Sequence, residues 1–153
     1  MAKNKTEQKN KVLFFDDEPF ITAALTLSLE LLGWKVTLVS DIDKLFKELT
    51  THQFDIIITD IMAPIPNMEN KYINFSQQEI DKMDVGLNTG VVLSKRIWKE
   101  FNENIPILFL SARRNPIPED PELGNYKCAY LRKPQLAKEV DEKLNELLNI
   151  KVN

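Results

Sequence analysis

The stretch FDIIITDIMAPIPN, residues 54–67, joins an apolar run to an acidic residue. The run is nearly continuous, which is typical of a strand that is covered on both faces in a parallel sheet. It ends at Asp60, after which the chain enters a segment rich in proline and polar residues. An acid at the end of such a strand requires a reason, because buried carboxylates are rare without a partner.

Four other short β-rich runs alternate with helix-like segments along the chain. The five strands are predicted at 11–15, 34–40, 54–59, 105–111 and 128–133. Pro19 suits the first turn of the first helix, and Gly33 suits its C-terminal end. Strands that alternate with helices imply right-handed βαβ crossovers. The sequence therefore predicts a doubly wound α/β fold, with one parallel sheet and helices on both of its faces.

The composition is that of an ordinary globular protein, with 43% apolar and 28% charged residues in a chain of 153. The net charge of −3 argues against direct nucleic-acid binding through a basic face. No apolar stretch reaches the roughly 18 residues that span a bilayer, so no membrane association is expected. The single cysteine, Cys128, fits a reducing compartment, and we expect a cytoplasmic protein.

The first predicted strand begins at residue 11, and this divides the chain into a short tail and one domain. Residues 1–10 carry basic and amide side chains without an apolar core, so they are predicted to be a disordered tail rather than a signal peptide. Residues 11–150 are predicted to form one domain, a length sufficient to bury a sizeable core.

Charged and polar side chains stand at four predicted strand ends. Asp16 and Asp17 follow the first strand, Asp60 the third, Ser111 the fourth and Lys133 the fifth. Each has a simpler reading alone: a helix N-cap for Asp17, a turn residue for Asp60, a loop hydroxyl for Ser111 and a solvated lysine for Lys133. In a doubly wound sheet, however, all of them share the ligand-binding edge. Three close carboxylates repel one another, and an oxygen-preferring divalent cation such as Mg²⁺ would relieve that repulsion.

Four motifs at these positions carry a family resemblance. VLFFDDEP (12–19), IIITDIM (56–62), ILFLSA (107–112) and YLRKP (130–134) resemble the receiver domain of two-component response regulators. The resemblance covers roughly residues 11–61 and 87–149. It implies a flavodoxin-like sheet of five parallel strands in the order 2-1-3-4-5.

The resemblance also implies roles for the acidic residues. Asp60 would be the phosphoacceptor, which takes a phosphoryl group from a phosphohistidine or a small phosphodonor. Asp17, Asp16, Asp60 and the backbone carbonyl of Met62 would hold Mg²⁺. Phosphoryl transfer needs alignment and charge neutralisation more than covalent help, which agrees with this set of groups.

Three further residues receive roles in the same way. Ser111 would hydrogen-bond a phosphoryl oxygen, and Lys133 would pair with another. Tyr130 matches the aromatic switch position, with a half-buried strand tyrosine as the simpler reading.

Two segments depart from the family pattern. Residues 63–86 form an insertion after the phosphoacceptor, in which SQQEIDKM suits one or two helical turns capped by Ser76. This insertion could cover the pocket, present Tyr72, Ile73 and Phe75 to a partner, or be a tolerated surface loop. Residues 112–126 are proline-rich, so the fourth helix of the family should be shortened or absent, with at most one turn near Pro121.

The sequence leaves three candidate functions for this chain. The leading hypothesis is a stand-alone receiver that is phosphorylated by a histidine kinase or a histidine phosphotransfer protein. Its output would pass to an unidentified downstream protein, unless the chain is an excised part of something longer. The alternative is a receiver-shaped interaction module that works without phosphorylation. A phosphatase with a nucleophilic aspartate after the first strand is disfavoured, because it requires Asp-x-Asp where this chain has Asp-Asp-Glu.

Overall fold

Five parallel strands form the central sheet of the computed structural model, which describes residues 10–66, 73–113 and 119–149. The strands are β1 (Lys11–Phe15), β2 (Lys35–Val39), β3 (Ile56–Asp60), β4 (Ile107–Ser111) and β5 (Cys128–Arg132). Their order is β2-β1-β3-β4-β5, with parallel pairing throughout. The predicted flavodoxin-like sheet is confirmed.

Five α-helices accompany the sheet. They are α1 (Pro19–Leu31), α2 (Ile42–Thr51), α3 (Gln77–Lys82), α4 (Thr89–Glu100) and α5 (Ala137–Asn149). Two short 3₁₀ turns lie at Asp84–Gly86 and Pro121–Asn125. Within the described ranges, no helix is both long enough and apolar enough to cross a membrane. The predicted tail at 1–10 lies outside these ranges apart from its last residue.

The helix ends follow local sequence signals, with one correction. Pro19 begins α1, and Gly33 follows it with a φ of 101°, a left-handed conformation that glycine adopts without strain. At α2 the cap is Asp41, whose carboxylate accepts a hydrogen bond from the Lys44 amide at 2.7 Å. In the sequence, Ser40 followed three positions later by Asp43 resembles an acidic variant of a capping box and predicts the cap at Ser40, which is one residue early.

The core has two layers because alternate strand residues face opposite sides of the sheet. Leu13, Phe15 and Ile57 pack with the buried residues of α2 and α4. Val12 and Ile58 pack with those of α1 and α5 on the other side. Every residue of β3 is buried, which confirms that this strand is covered on both faces.

The connection from β4 to β5 lacks an α-helix among its described residues. The single 3₁₀ turn at Pro121–Asn125 is the only helical element there, as its prolines predicted. Lys95 of α4 holds this connection through Asp120 at 2.5 Å and Glu122 at 3.2 Å. Pro116, Pro118 and Arg114 lie outside the described residues.

The segment that follows Asp60 is packed into the core. Ala63, Ile73 and Met83 are at most 6% exposed, and the ring of Phe75 lies edge-on to Phe46 of α2 at 6.1 Å. The option that Ile73 is presented to a partner was therefore wrong, whereas Phe75 is partly buried against the core and Tyr72 lies outside the described residues. The segment is part of the folded domain.

A capping box and one arginine hold this segment in place. Ser76 caps α3, as the sequence predicted, and it also exchanges with Glu79 the two hydrogen bonds of a capping box. Arg96 of α4 donates to Glu79 at 2.7 Å and to the Asn74 carbonyl at 3.0 Å. Its guanidinium also lies 5.6 Å from the centre of the Phe75 ring. Arg96 thus joins the inserted segment to α4.

The contacts of Arg96 predict how the inserted segment responds to mutation. Arg96→Ala should speed amide exchange at Ile80 and Met83 roughly tenfold or more, because a hydrogen bond to a charged group contributes about 1.5–3 kcal/mol. Lys99→Ala removes an exposed cation from the same helix and serves as the control. Hydrogen exchange followed by mass spectrometry measures both. Equal exchange in the two variants would show that Arg96 does not hold the segment.

Candidate functional site

The polar residues predicted at the strand ends lie together at the carboxyl edge of the sheet. Asp16 and Asp17 follow β1, Asp60 ends β3 and Ser111 ends β4. Lys133 follows β5, and its backbone N–H donates to the Ser111 carbonyl at 2.8 Å. Parallel pairing of β1, β3, β4 and β5 is what brings them to one place.

Three carboxylates and one ammonium form the centre of the site. Carboxylate oxygens of Asp16, Asp17 and Asp60 lie within 4.8 Å of one another. Asp16 is 1% exposed and Asp60 is 8% exposed. The Lys133 ammonium donates to Asp16 Oδ2 at 2.7 Å and to Asp60 Oδ2 at 3.0 Å. One cation thus bridges the ends of two neighbouring strands.

The charges at this site do not balance. Burial raises the pKa of Asp60 above its ordinary value, and the nearby Lys133 charge offsets this only in part. Burial alone would lower the pKa of Lys133, but its hydrogen bonds to Asp16 and Asp60 outweigh that effect and raise it. The lysine is therefore firmly charged, and the three acids together exceed its single positive charge.

The donor set fits a divalent cation of the Mg²⁺ type. All three acidic side chains offer oxygen, the ligand that Mg²⁺ prefers. The backbone of Met62 lies beside Asp60, since its N–H donates to Asp60 Oδ1 at 3.1 Å. That the Met62 carbonyl is a further ligand stays a prediction.

The simpler reading of Asp17 as a helix cap finds no support. The N-cap of α1 is Glu18, which makes no side-chain cap hydrogen bond. Asp16 is oriented instead by the Glu18 amide, which donates to Asp16 Oδ1 at 2.8 Å. Asp17 is thus left beside the other two carboxylates without a capping role.

Ser111 and Tyr130 line the same part of the sheet at different depths. Ser111 is fully buried, and its Oγ accepts the Arg113 N–H at 3.2 Å. The half-buried Tyr130 ring stacks on Phe109 with centroids 5.3 Å apart, and its hydroxyl lies 3.6 Å from Cys128 Sγ. Burial, followed by the Cys128 contact, raises the pKa of Tyr130. The switch role of this tyrosine stays a prediction.

Solved structures of receiver domains are similar to this chain over most of its length. The receiver domain of Francisella response regulator 1452 is 25% identical, with a TM-score of 0.64 over 92% of this chain and 97% of that one. The response regulator TrrA of Thermotoga maritima, in complex with Mg²⁺-BeF, is 21% identical with a TM-score of 0.65 over 90% and 98%. The chain has the fold of a response regulator receiver domain.

Comparison by sequence gives one further relative at a similar level of identity. The chain is 26% identical over 144 residues to the probable transcriptional regulator ycf27 of Cyanidium caldarium. The match covers 94% of this chain and 48% of the relative, so the chain spans about half the length of the curated protein that it matches. No protein-family model matches the chain.

The start of α4 packs closely against the backbone at the end of β3, a contact that no pattern in the sequence predicted. The Gly90 N–H donates to the Ile61 carbonyl at 2.8 Å, and Thr89 Oγ1 donates to the Ala63 carbonyl at 2.6 Å. A Cβ on Gly90 would lie 1.9 Å from the backbone oxygen of Asp60. Helix α4 therefore begins directly against the predicted phosphoacceptor. The only signal was the Thr-Gly pair just before the helix predicted from position 91.

Exposed apolar side chains flank the acidic centre. Phe20 at the start of α1 is 96% exposed, and Leu136, three residues after Lys133, is 71% exposed. Leu27 and Leu31 continue the exposed row along α1 at helical spacing. A row of this kind beside a site is typical of a contact surface for another protein.

The contact at Gly90 predicts a large effect for a small substitution. Gly90→Ala should lower the free energy of unfolding by about 2 kcal/mol or more, because α4 must move away from β3 to admit the methyl group. Gly124→Ala is the matched control, since no atom lies within 4 Å of its Cβ position. Urea unfolding compares the two variants. Equal stability would contradict the close approach of α4 to Asp60.

Proposed function

We propose that this chain is a phosphorylation-controlled switch of a two-component system, with Asp60 as its phosphoacceptor. The relatives support a role in two-component signalling, in which receiver domains are in general regulatory rather than catalytic. The observation that carries the proposal is the Lys133 ammonium, held between Asp60 and Asp16. It lies where negative charge would build up during phosphoryl transfer.

The chemistry is a displacement at phosphorus. One oxygen of the Asp60 carboxylate forms a bond to phosphorus, while the bond from phosphorus to the donor's histidine nitrogen breaks. Lys133 pairs with a phosphoryl oxygen, and the Ser111 hydroxyl donates to another. Asp16, Asp17, Asp60 and the Met62 carbonyl would hold Mg²⁺, whose charge would add to the neutralisation that Lys133 provides. The product is an aspartyl phosphate.

The phosphodonor is a histidine kinase or a histidine phosphotransfer protein. The row of Phe20, Leu27 and Leu31, together with Leu136, gives such a donor an apolar surface next to the acidic centre. We assign this apolar surface to the phosphodonor because it begins at Phe20 and Leu136, each three residues after a member of the acidic centre. Output passes to a downstream protein without direct contact with nucleic acid.

A receiver-shaped module that works without phosphorylation is the second candidate. The observation that favours it is the β4–β5 connection, whose described residues form a 3₁₀ turn and no α-helix. That region differs from the family pattern on which a phosphorylation-dependent output depends. The two candidates predict opposite results in one labelling experiment.

Incubation with acetyl phosphate and Mg²⁺ should add one phosphoryl group per chain, seen by intact-mass measurement. Asp60→Asn should abolish the addition, because the amide cannot act as the nucleophile. Asp55→Asn is the matched control, since Asp55 precedes β3 at the opposite edge of the sheet and should leave labelling intact. Labelling that survives in Asp60→Asn would overturn the assignment, and an unlabelled wild-type chain would favour the second candidate.

A further inference from the structure

Arg113 lies two residues after Ser111, and among the described residues its hydrogen-bond partners are uncharged. Its backbone N–H donates to Ser111 Oγ at 3.2 Å, and its guanidinium donates to Asn88 Oδ1 at 3.0 Å. Arg113, Asn88 and Met62 line one open groove of about 1150 Å³. A cationic side chain thus stands in the loop after β4, the strand next to β3, with a neutral amide as its acceptor.

Asn88 lies at the start of α4, where an asparagine side chain ordinarily caps the helix by accepting a backbone hydrogen bond. It is the N-cap residue of α4, and asparagine is among the preferred residues there. Its side chain nevertheless makes no capping hydrogen bond, because its oxygen accepts from Arg113. Its backbone N–H donates to the Met83 carbonyl at 2.9 Å, at the end of the inserted segment. The Arg113–Asn88 contact therefore bridges the loop after β4 and the insertion.

Three of the four acids along the groove are engaged elsewhere, and the fourth, Glu119, is exposed. Lys95 holds Asp120 and Glu122, and Arg96 holds Glu79. The guanidinium of Arg113 is thus held by an uncharged acceptor although several carboxylates line the same groove. The Arg113–Asn88 hydrogen bond has one charged partner, whereas an anionic oxygen would add an opposite charge and could accept both arms of the guanidinium, which makes the stronger contact.

We propose that Arg113 is a latch that reports phosphorylation to the insertion. In the unphosphorylated chain Asn88 holds the guanidinium; a phosphoryl group on Asp60 offers anionic oxygens and draws it away. The released Asn88 side chain then caps α4, and its link to Met83 carries the change into the inserted segment. This inference rests on the proposed function and adds a positioning residue and a responsive segment to it.

The latch predicts opposite effects for its two partners on the binding of beryllofluoride, a phosphoryl mimic, in the presence of Mg²⁺. Arg113→Ala should weaken binding roughly tenfold, because one charge-assisted contact is lost. Asn88→Ala should tighten binding, since the competing acceptor is gone. Asn88→Asp should weaken binding, because a carboxylate holds the guanidinium more firmly. In an Arg113→Ala background, both Asn88 substitutions should lose most of their effect.

Two controls separate a latch from a merely structural contact. Arg132→Ala removes an exposed arginine next to Lys133 and should leave binding unchanged. Arg113→Lys keeps the charge without the planar fork and should fall between wild type and Arg113→Ala. Hydrogen exchange at the amides of Ala63 and Asn88 should change with beryllofluoride in the wild type and not in Arg113→Ala.

The outcomes distinguish this inference from the function on which it rests. If the wild type binds no beryllofluoride, or Asp60→Asn binds it equally, the proposed function fails. If binding depends on Asp60 but Arg113→Ala and Asn88→Ala shift it in the same direction or not at all, only the latch is overturned. Opposite shifts, with coupling between the two positions, would establish it.

Discussion

The structure depends on one lysine held between two strand ends. Lys133 contacts Asp16 after β1 and Asp60 at the end of β3, so a single cation offsets buried negative charge on neighbouring strands. The strand order brings these three side chains together, because β1 and β3 are adjacent in the parallel sheet and β5 lies two strands from β3. An isolated buried carboxylate is costly, and the shared ammonium is what makes two of them tolerable. The third acid, Asp17, leaves an excess of negative charge that suits a bound cation.

The inserted segment changes what surrounds this centre. Because Ile73 and Met83 are buried and Arg96 joins Asn74 and Glu79 to α4, the described part of the segment packs against the core. It is also tied to the loop after β3, since the Ala63 N–H donates to the Gly86 carbonyl at 3.1 Å. Asp84 and Val85 just before Gly86 have positive φ values, a strained backbone for residues other than glycine. The strain lies at the point where the insertion meets the loop after Asp60.

Local signals in the sequence determined much of the fold. The apolar run before Asp60 and the alternation of strands with helices predicted the sheet, while Ser76 marked the start of α3. Because strand ends share one edge in this fold, the placement of Asp16, Asp60 and Lys133 could also be predicted. The role of each residue in that group came from the family resemblance rather than from spacing.

What the sequence did not show depends on contacts between distant segments. The burial of Ile73 follows from its position against residues far along the chain, and no local periodicity marked it. The approach of Gly90 to the Asp60 backbone depends on where α4 docks on the sheet. The contact between Arg113 and Asn88 joins two irregular segments, where patterns of hydrophobicity carry no information. These are the features in which this chain differs from what the resemblance implied.

The central claim is that the three acids form a cation site built for phosphoryl chemistry, and the melting temperature as a function of Mg²⁺ concentration tests it most directly. A ligand that binds only the folded state raises stability with concentration. The wild-type melting temperature should rise with Mg²⁺, whereas that of Asp17→Asn, which keeps both Lys133 contacts, should stay nearly constant. A wild-type chain indifferent to Mg²⁺, or a variant that responds equally, would contradict the account.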